Sequence, residues 1–263
     1  MPPPIITLLT DFGTSDTFSG VMKGVILGIN PKAKIVDLTH EIRPFHIESA
    51  AYVLFQASRH FPKGSIHVAV VDPGVGGKRK PIVVQTKQAY FVGPDNGIFS
   101  YIYDAEPKAK IYQVMAKKYR LKDYSPTFEG RDVFSPVAAW LSKGTQPAKM
   151  GVRIINPMFF DISRSVVREN GNITGKIIHI DGFGNLITNI TKKDLRPWLG
   201  NGKEITIRLG GEEIKGLSQY YQEGSSGSLS ALVNSDDQLE IFVVRGSAKD
   251  LSGAGVGEGV EVV

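Results

Sequence analysis

The chain has 263 residues, a formal net charge of +5 and no cysteine. The lack of cysteine excludes disulfides, thiolate metal sites and a cysteine nucleophile, and the scattering of lysines and arginines among acids argues against a nucleic-acid partner. No apolar run approaches the roughly 20 residues that a membrane helix needs, and Met1 to Pro4 lack the features of a signal peptide. We therefore expect a cytoplasmic protein that binds neither membranes nor nucleic acids.

The first part of the chain alternates between strand and helix patterns. Apolar runs bounded by turn residues predict strands at Ile5–Thr10, Lys34–Leu38 and His67–Val71. Apolar residues at helical spacing predict helices at 18–29 and at Ile47–His60. This alternation is typical of a parallel sheet with helices on both faces, in which the strand ends that carry Asp11 and Asp72 meet at one edge.

The next elements complete this domain. We predict a hairpin from Pro81–Thr86 and Ala89–Val92, a polar turn with Asp95 and Asn96, and a strand at Lys110–Val114. A helix is predicted at Val133–Leu141, with Asp132 as its N-cap and Gly144 as its stop.

The second half of the chain has a different pattern. Periodicity is lost after Gly151, so the predicted organisation is residues 1–160, a linker at 161–172 and a second domain at 173–263. Short strand patterns separated by turns favour a small antiparallel barrel or sandwich there; they lie at Ile173–Ile180, Leu186–Ile190, Glu204–Leu209, Glu212–Ile214, Leu229–Val233, Leu239–Val244 and Val260–Val263. One helix is predicted at Lys192–Trp198 after a capping-box-like start.

The loop after the third strand is the most informative stretch. Asp72 follows the apolar run, and Pro73, Gly74, Gly76 and Gly77 form a tight loop before Arg79. An acid and a guanidinium on one short loop could bind and polarise a small polar reactant. A turn closed by a structural ion pair explains the same residues equally well.

Other patterns exclude several kinds of site. The glycine loop at 74–78 has neither the Walker spacing nor the dinucleotide pattern, and no G-x-S-x-G elbow occurs. The five histidines lack the spacing of a metal site, so we predict no metal. Asp181 to Asn185 form another strand-end turn of an acid, glycines and an amide; it either serves its own backbone or binds a ligand cation and an adenine-like edge.

Eight motifs occur in order along nearly the whole chain. They are TDFG at Thr10, GVMKGVI at Gly20, IVDLTHEI at Ile35, VVDPGVGG at Val70, VGPDNG at Val92, TFEGRDVFSP at Thr127, DGFGNLITN at Asp181 and NSDDQLEI at Asn234. The series resembles the S-adenosylmethionine hydrolases (SAM hydroxide adenosyltransferases), which are relatives of the fluorinases and chlorinases. The resemblance implies an α/β N-terminal domain with a mostly parallel sheet and a C-terminal antiparallel β-barrel domain, as the patterns predict.

The resemblance also implies an activity and an assembly. The implied reaction is hydrolysis of S-adenosyl-L-methionine to adenosine and L-methionine, by attack of water or hydroxide on the ribose C5′, without a cofactor. The implied assembly is a homotrimer that binds its ligand between the N-terminal domain of one subunit and the C-terminal domain of a neighbour.

Site residues of the N-terminal domain follow from the matching motifs. By resemblance, Asp11 would hold the ribose hydroxyls, Phe45 would pack on the sugar and sulfonium region, and Phe128 would wall the reaction pocket. Asp95 and Asn96 of the VGPDNG motif are further substrate-binding candidates.

The C-terminal domain supplies the remaining candidates. Asp181 would bind the methionine ammonium, and Ser235 would help to hold its carboxylate. Asn185 and the Arg245 backbone would contact adenine. Tyr220, in a segment that matches the family poorly, is the candidate for stacking on the base, and Phe183 of the DGFGN motif is a further substrate-binding candidate.

One position departs from the family pattern. The family activates water with an aspartate, an arginine and the histidine of TFHGRD, whereas this chain has Asp72, Arg79 and, in place of the histidine, Glu129. Either Glu129 supplies the base, or it mutes the enzyme. A Glu129→His variant is predicted to raise turnover. No change or a fall would mean that Glu129 is a working replacement, or that this position matters less than the family pattern implies.

Two other functions compete with hydrolysis. Halogenation would use the same carbon, but the carboxylate of Asp72 would repel a halide, and the tight hairpin at Lys87-Gln88 lacks the insertion of the fluorinating relatives. A protein that binds S-adenosylmethionine or adenosine with weak or no turnover is the other alternative, and Glu129 is the feature that favours it.

Overall fold

The computed structural model describes residues 3–199 and 205–263, which divide into two compact units at Ile162/Ser163. The first unit contains seven strands and four α-helices among its described residues. The strands are β1 (Ile5–Thr10), β2 (Lys34–Thr39), β3 (Ile66–Val70), β4 (Pro81–Gln85), β5 (Tyr90–Pro94), β6 (Lys110–Val114) and β7 (Gly151–Ile154). The helices are α1 (Phe18–Ile29), α2 (Ile47–Ser58), α3 (Ser100–Ala105) and α4 (Ser135–Ser142).

The seven strands form one mixed sheet in the order β2-β1-β3-β5-β4-β6-β7. The pairs from β2 to β5 are parallel, and β4 pairs antiparallel with β5 in the predicted hairpin. All five residues of β3 are buried, which explains why four of them are apolar. The parallel arrangement brings the ends of β1, β2 and β3 to one edge, where their loops begin.

Two apolar clusters cover the two faces of this sheet. Val68 and Val70 join a cluster with α1 and α4, whereas the alternate residues Ala69 and Val71 join a cluster with α2 and α3. The buried His67 on β3 is hydrogen-bonded to the hydroxyl of Thr7 at 2.8 Å. Burial lowers the pKa of His67 to about 4, so it is a neutral core residue at neutral pH.

The second unit is an antiparallel sheet of eight strands. These are β8 (Val166–Val167), β9 (Ile173–Ile180), β10 (Leu186–Thr191), β11 (Thr206–Leu209), β12 (Glu212–Lys215), β13 (Ser230–Val233), β14 (Gln238–Phe242) and β15 (Gly259–Val262). The order is β12-β11-β15-β9-β10-β14-β13, and β8 pairs with β9. A bridge between Ser218 and Leu232 links the segment after β12 to β13, so the sheet nearly closes on its own apolar core. The predicted two-domain fold class is confirmed.

Several local details differ from the sequence predictions. The stretch at 151–172, which has no periodic pattern in the sequence, contributes the edge strand β7 and the short strand β8. Helix α5 (Lys192–Leu195) has the predicted capping box at Thr191 but ends three residues early, because Pro197 has no N–H with which to continue the helical hydrogen bonds. Helices α3 and α6 (Ala248–Ser252) were not predicted. The predicted start of one strand, Glu204, lies outside the described residues.

Asp132 is not the N-cap that the sequence suggested. A π-helical turn at Gly130–Phe134 precedes α4, and Asp132 lies inside it, fully buried. Its carboxylate accepts hydrogen bonds from Ser125 N at 2.7 Å and from Arg131 Nε at 2.6 Å. Asp132 therefore ties the preceding loop to the helix.

Among the described residues, no helix is long and apolar enough to cross a bilayer.

Candidate active site

Asp72 and Arg79 form a buried ion pair on the loop after β3. Arg79 Nε donates to both carboxylate oxygens of Asp72, at 3.0 and 2.8 Å, and Nη2 also contacts Oδ2. The Arg79 side chain is 10% exposed and the Asp72 side chain is 3% exposed. The guanidinium carbon lies 5.6 Å from the centre of the Phe134 ring, which packs against it. A turn closed by a structural ion pair would also explain these contacts. A third group is therefore needed to distinguish a structural pair from a reactive one.

The third group is Glu129, which directly precedes the π-helical turn. Its Oε2 forms an ion pair with Nη2 of Arg79, and its Oε1 accepts a hydrogen bond of 2.6 Å from the hydroxyl of Tyr124. The Glu129 side chain is only 6% exposed. One arginine thus joins two buried carboxylates that are 57 positions apart in the sequence. A turn that merely closes on itself does not require Glu129.

The two loops meet because Gly76 has no side chain. Gly76 adopts a φ of +73°, and a Cβ at this position would lie 2.7 Å from the carbonyl oxygen of Pro126. Only glycine provides both this backbone conformation and this close approach. Pro126 belongs to the segment that carries Glu129, so this contact brings Glu129 to Arg79.

Replacement of Gly76 by alanine should therefore weaken both folding and the site. We expect Gly76→Ala to lower the free energy of unfolding by about 2–4 kcal/mol, from left-handed strain and overpacking together, and to lower kcat. Gly64→Ala is the control, because Gly64 has a φ of +88° with no atom within 4 Å of its would-be Cβ. It should cost about 1–2 kcal/mol and leave kcat unchanged. Equal effects of both variants on kcat, measured beside urea denaturation, would contradict this role of Gly76.

Protonation states follow from these contacts. Burial alone would lower the pKa of Arg79, but the hydrogen bond and charge of Asp72, aided by Glu129, raise its pKa above the ordinary value. The hydrogen bond to Glu129, together with burial, raises the pKa of Tyr124. Arg79 is therefore always a cation and Tyr124 is a hydrogen-bond donor, so neither can accept a proton. The carboxylates are the groups of this cluster that could accept a proton.

Asp72 and Glu129 line a cavity of about 350 Å³ in the first unit. The lining residues are Asp11, Phe12, Phe18, Pro44, Phe45, Val70, Asp72, Val75, Thr127, Phe128, Glu129 and Gly130. Asp11 is anchored through Oδ2, which accepts a hydrogen bond from Phe45 N at 2.9 Å. Phe45 has a φ of +68°, which is strained for a bulky residue, and its side chain is 70% exposed. An exposed aromatic ring at the cavity mouth can pack against a bound ligand.

The apolar wall of this cavity is an aromatic triangle. Phe12, Phe18 and Phe128 lie with ring centres 5.3 to 5.9 Å apart, in tilted and edge-to-face arrangements that stabilise aromatic pairs. Of these three, the sequence predicted only Phe128 as a site residue. Phe12 and Phe18 were not predicted. Phe18 was missed because it occupies an ordinary apolar position of helix α1.

Asp95 and Asn96 lie outside this cavity lining. Asn96 Nδ2 donates to the carbonyl of Val71 at 2.9 Å, and Asp95 Oδ1 accepts from Met158 N at 2.8 Å. Burial raises the pKa of Asp95, against the lowering effects of the Met158 N–H and the charge of Lys80. The Asn96 amide therefore supports the start of the loop after β3, whereas the Asp95 carboxylate holds the segment at Met158.

The second unit has its own cavity, of about 610 Å³. It is lined by Asp181, Phe183, Asn185, Tyr221, Gln222, Val243, Val244, Arg245 and Gly246. Four predicted substrate-binding residues, namely Asp181, Phe183, Asn185 and Arg245, meet here. Arg245 adopts a φ of +54° in the tight turn after β14, and Phe183 is 81% exposed.

Asp181 organises the turn that carries Asn185. Its Oδ1 accepts hydrogen bonds from Phe183 N and Asn185 N, each at 2.9 Å, and its Oδ2 accepts from Asn185 Nδ2 at 3.0 Å. The backbone-serving interpretation of this turn is thus present in the structure. These hydrogen bonds still leave acceptors for a ligand. A carboxylate has about four acceptor positions, and the hydrogen bonds described for this turn do not use the Asn185 amide oxygen.

Tyr221 lines this cavity together with Phe183, and the predicted Tyr220 is not in its lining. The Tyr221 hydroxyl donates to the buried Glu240 at 2.8 Å, and its ring packs on Phe242 with ring centres 5.0 Å apart. Burial, with help from Glu240, raises the pKa of Tyr221. The two tyrosines are adjacent, so only the register of the short turn at Tyr221–Glu223 distinguishes them.

Ser235 is exposed and is likewise not in the cavity lining. Its neighbour Asn234 donates to Glu240 at 3.0 Å, and Glu240 in turn holds Tyr221. Burial raises the pKa of Glu240 despite these two donors. A hydrogen-bond chain therefore connects the loop of Ser235 with the cavity.

Comparison with known proteins places this architecture in a family. The SAM hydroxide adenosyltransferase N-terminal domain model matches residues 6–151, and the corresponding C-terminal domain model matches residues 175–261. A crystal structure of an uncharacterized conserved protein from Thermotoga maritima superposes with a TM-score of 0.92 at 35% identity, over 98% of this chain and 99% of that one.

Curated relatives also match most of the chain. An (R)-S-adenosyl-L-methionine hydrolase from Methanocaldococcus jannaschii is 38% identical over 98% of this chain and 95% of its own length. A hydrolase of the same name from Thermus thermophilus is 33% identical over 94% and 95%. A fluorinase from an Actinoplanes species is more distant, at 27% identity over 78% of each chain.

The chain thus combines an Asp72–Arg79–Glu129 cluster on its α/β domain with a second cavity, lined by Asp181 and Asn185, on its β domain. The chain belongs to the SAM hydroxide adenosyltransferase family. The resemblance predicted from the eight motifs is thereby confirmed.

Proposed function

We propose that this protein hydrolyses S-adenosyl-L-methionine to adenosine and L-methionine. The observation that carries the proposal is the Asp72–Arg79–Glu129 cluster, whose two carboxylates line a cavity with an aromatic wall. The names of the curated relatives support the substrate and the reaction. Those names specify the R epimer at sulfur, so we extend the proposal to a preference for that epimer.

The chemistry makes the nucleophile the difficult part. A sulfonium leaves as neutral methionine, so cleavage of its bond to C5′ requires no acid. Water is a weak nucleophile, and it must lose a proton as the new C–O bond forms at C5′ while the C–S electron pair goes to sulfur. Glu129 accepts this proton, and Asp72 fixes Arg79. Arg79 stabilises the developing hydroxide, because a preorganised cation in a dry pocket acts far more strongly than one in water.

The binding roles proposed for the residues of the two cavities are those that the family resemblance implies. Asp11 holds the ribose hydroxyls, Phe45 packs on the sugar and sulfonium, and Phe128 walls the pocket. These roles agree with the positions of the three residues in the lining of the N-terminal cavity.

The C-terminal cavity supplies the other contacts. Asp181 binds the methionine ammonium, while Asn185 and the Arg245 backbone contact adenine. Tyr221, which lines that cavity, takes the stacking role first assigned to Tyr220. Ser235 approaches the methionine carboxylate from the loop that the Glu240 hydrogen bonds hold.

Halogenation fits this site less well. A halide would have to approach two buried carboxylates, Asp72 and Glu129, that share a single guanidinium. The local charge therefore disfavours an anionic nucleophile and favours neutral water. A binding protein without turnover remains the second candidate only if Glu129 is unable to accept the proton.

Product analysis tests the proposal directly. Purified protein incubated with the separate epimers of S-adenosyl-L-methionine should release equal amounts of adenosine and methionine, faster from the R epimer, with neither halide nor added metal. Tight binding of substrate without products would favour the binding protein. A halogenated nucleoside that forms only when halide is added would favour the halogenase.

We further propose a homotrimer in which each ligand contacts the N-terminal domain of one subunit and the C-terminal domain of a neighbour. Light scattering should give three times the chain mass of 28.7 kDa. Mixed trimers of Arg79→Ala and Asp181→Ala chains should regain activity, because some ligand sites then combine two intact halves. Unrestored activity in mixed trimers whose formation is verified would contradict the shared site.

A further inference from the structure

Tyr124 makes a direct contact with the candidate base. Its hydroxyl lies 2.6 Å from Glu129 Oε1, and its ring is 43% exposed, whereas Glu129 is 5% exposed. None of the sequence motifs includes Tyr124, and the comparisons assign it no role. A buried carboxylate thus depends on a half-exposed tyrosine for one of its two oxygens.

The loop that carries Tyr124 is firmly anchored. The carboxylate of the fully buried Asp132 accepts Ser125 N at 2.7 Å, and its backbone carbonyl accepts Leu121 N at 2.9 Å. The hydroxyl of Ser135 donates to Gly130 O at 2.7 Å within the π-helical turn, a feature that is frequent at functional sites. The loop that carries Tyr124 is therefore bonded to Asp132, and Asp132 lies in the π-helical turn that directly follows Glu129. These contacts fix Tyr124 and Glu129 relative to each other.

We propose that Tyr124 is a positioning residue that holds Glu129 as the general base of the hydrolysis proposed above. The inference rests on that proposed function. The Tyr124 hydroxyl occupies Oε1 and prevents rotation of the carboxylate, so that Oε2 stays directed at Arg79. Orientation of this kind contributes strongly to catalysis, because a small displacement of a catalytic group lowers the rate steeply.

Charge favours the same conclusion. The described groups that face Glu129 are the Arg79 guanidinium and the Tyr124 hydroxyl; Asp72 lies beyond Arg79, and the charge of Arg120 acts on Tyr124. Both direct partners are donors, and donors favour the ionised form of a carboxylate. Loss of the tyrosine hydroxyl removes one of the two donors that favour the ionised base.

The test is Tyr124→Phe, which removes one oxygen and keeps the ring. We expect kcat to fall about tenfold or more, as for loss of a hydrogen bond to a charged group, with KM within about twofold of the original. The acid limb of the kcat profile should move to higher pH. Tyr112→Phe, on β6, is the matched control and should leave kcat and the pH profile unchanged.

A double-mutant cycle separates positioning from a general structural role. In the Glu129→Gln background, Tyr124→Phe should cost much less than it costs alone, because the base that it positions is absent. An unshifted pH profile, or equal losses in both backgrounds, would overturn the inference. Absence of turnover by the unmodified protein would instead overturn the proposed function, so the two failures are distinguishable.

Discussion

Removal of the Arg79 side chain is expected to abolish measurable hydrolysis. Arg79 is the only group that contacts both Asp72 and Glu129 among the described residues, through Nε and Nη2. Arg79→Ala leaves two buried carboxylates without a counter-charge and removes the cation that stabilises developing hydroxide. We expect kcat/KM to fall by about 10³ or more, since loss of one preorganised donor alone costs about 10²–10³.

Stability should fall with activity in this variant. Removal of one partner of a buried ion pair typically costs about 3–5 kcal/mol, which a denaturant titration can measure. Arg79→Lys keeps the charge but loses the planar fork that spans Asp72, so it should fold better than the alanine variant and remain strongly impaired.

Arg208→Ala is the matched control for Arg79→Ala. Arg208 donates to Glu213 at 2.9 Å, and both side chains are about half exposed, at 50% and 49%. Loss of an exposed pair costs at most about 1 kcal/mol and should leave kcat unchanged. An Arg79→Ala enzyme that retained more than about a tenth of the original kcat would contradict electrostatic stabilisation as the main contribution of the site.

Glu129→Gln should be almost as damaging to turnover while leaving the fold intact. Glutamine has the same shape and can still accept the Tyr124 hydrogen bond, but it cannot accept a proton. General-base catalysis contributes about 10²–10⁴ in rate, so we expect kcat to fall within that range with little change in substrate affinity. Calorimetric titration with substrate, beside rate assays, would separate the two effects, and Glu213→Gln is the exposed control.

Glu129→His separates the two interpretations of the family departure. The sequence-based prediction was a gain in turnover. The contacts of Glu129 support the opposite result, because its two oxygens face Tyr124 and Arg79 at once, while a neutral imidazole has one acceptor nitrogen. We expect a fall. A clear rise would mean that Glu129 mutes the enzyme and would favour the binding protein.

Sequence reasoning predicted the site best where local rules determine structure. The apolar run of β3 ends at residue 70, close to the predicted boundary, and the turn residues after it place Asp72 and Arg79 on one loop. What no local pattern could provide is the contact of that loop with residue 129. It depends on the absence of a side chain at Gly76 against Pro126, about 50 residues away.

The error at Asp132 and the choice between Tyr220 and Tyr221 share a physical cause. Asp132 resembles an N-cap by position, but burial makes it a hub for Ser125 and Arg131 instead. Adjacent tyrosines at 220 and 221 have identical chemistry, and the turn conformation alone decides which one lines the cavity. In each case tertiary packing chose between local options of similar energy.

One labelling experiment tests the central claim most directly. Hydrolysis of (R)-S-adenosyl-L-methionine by the unmodified protein in heavy-oxygen water should place a single labelled oxygen at C5′ of adenosine and none in methionine, as read by mass spectrometry. This result would show that water attacks C5′ with methionine as the leaving group. Unlabelled adenosine, label in methionine, or no turnover of either epimer would contradict the account.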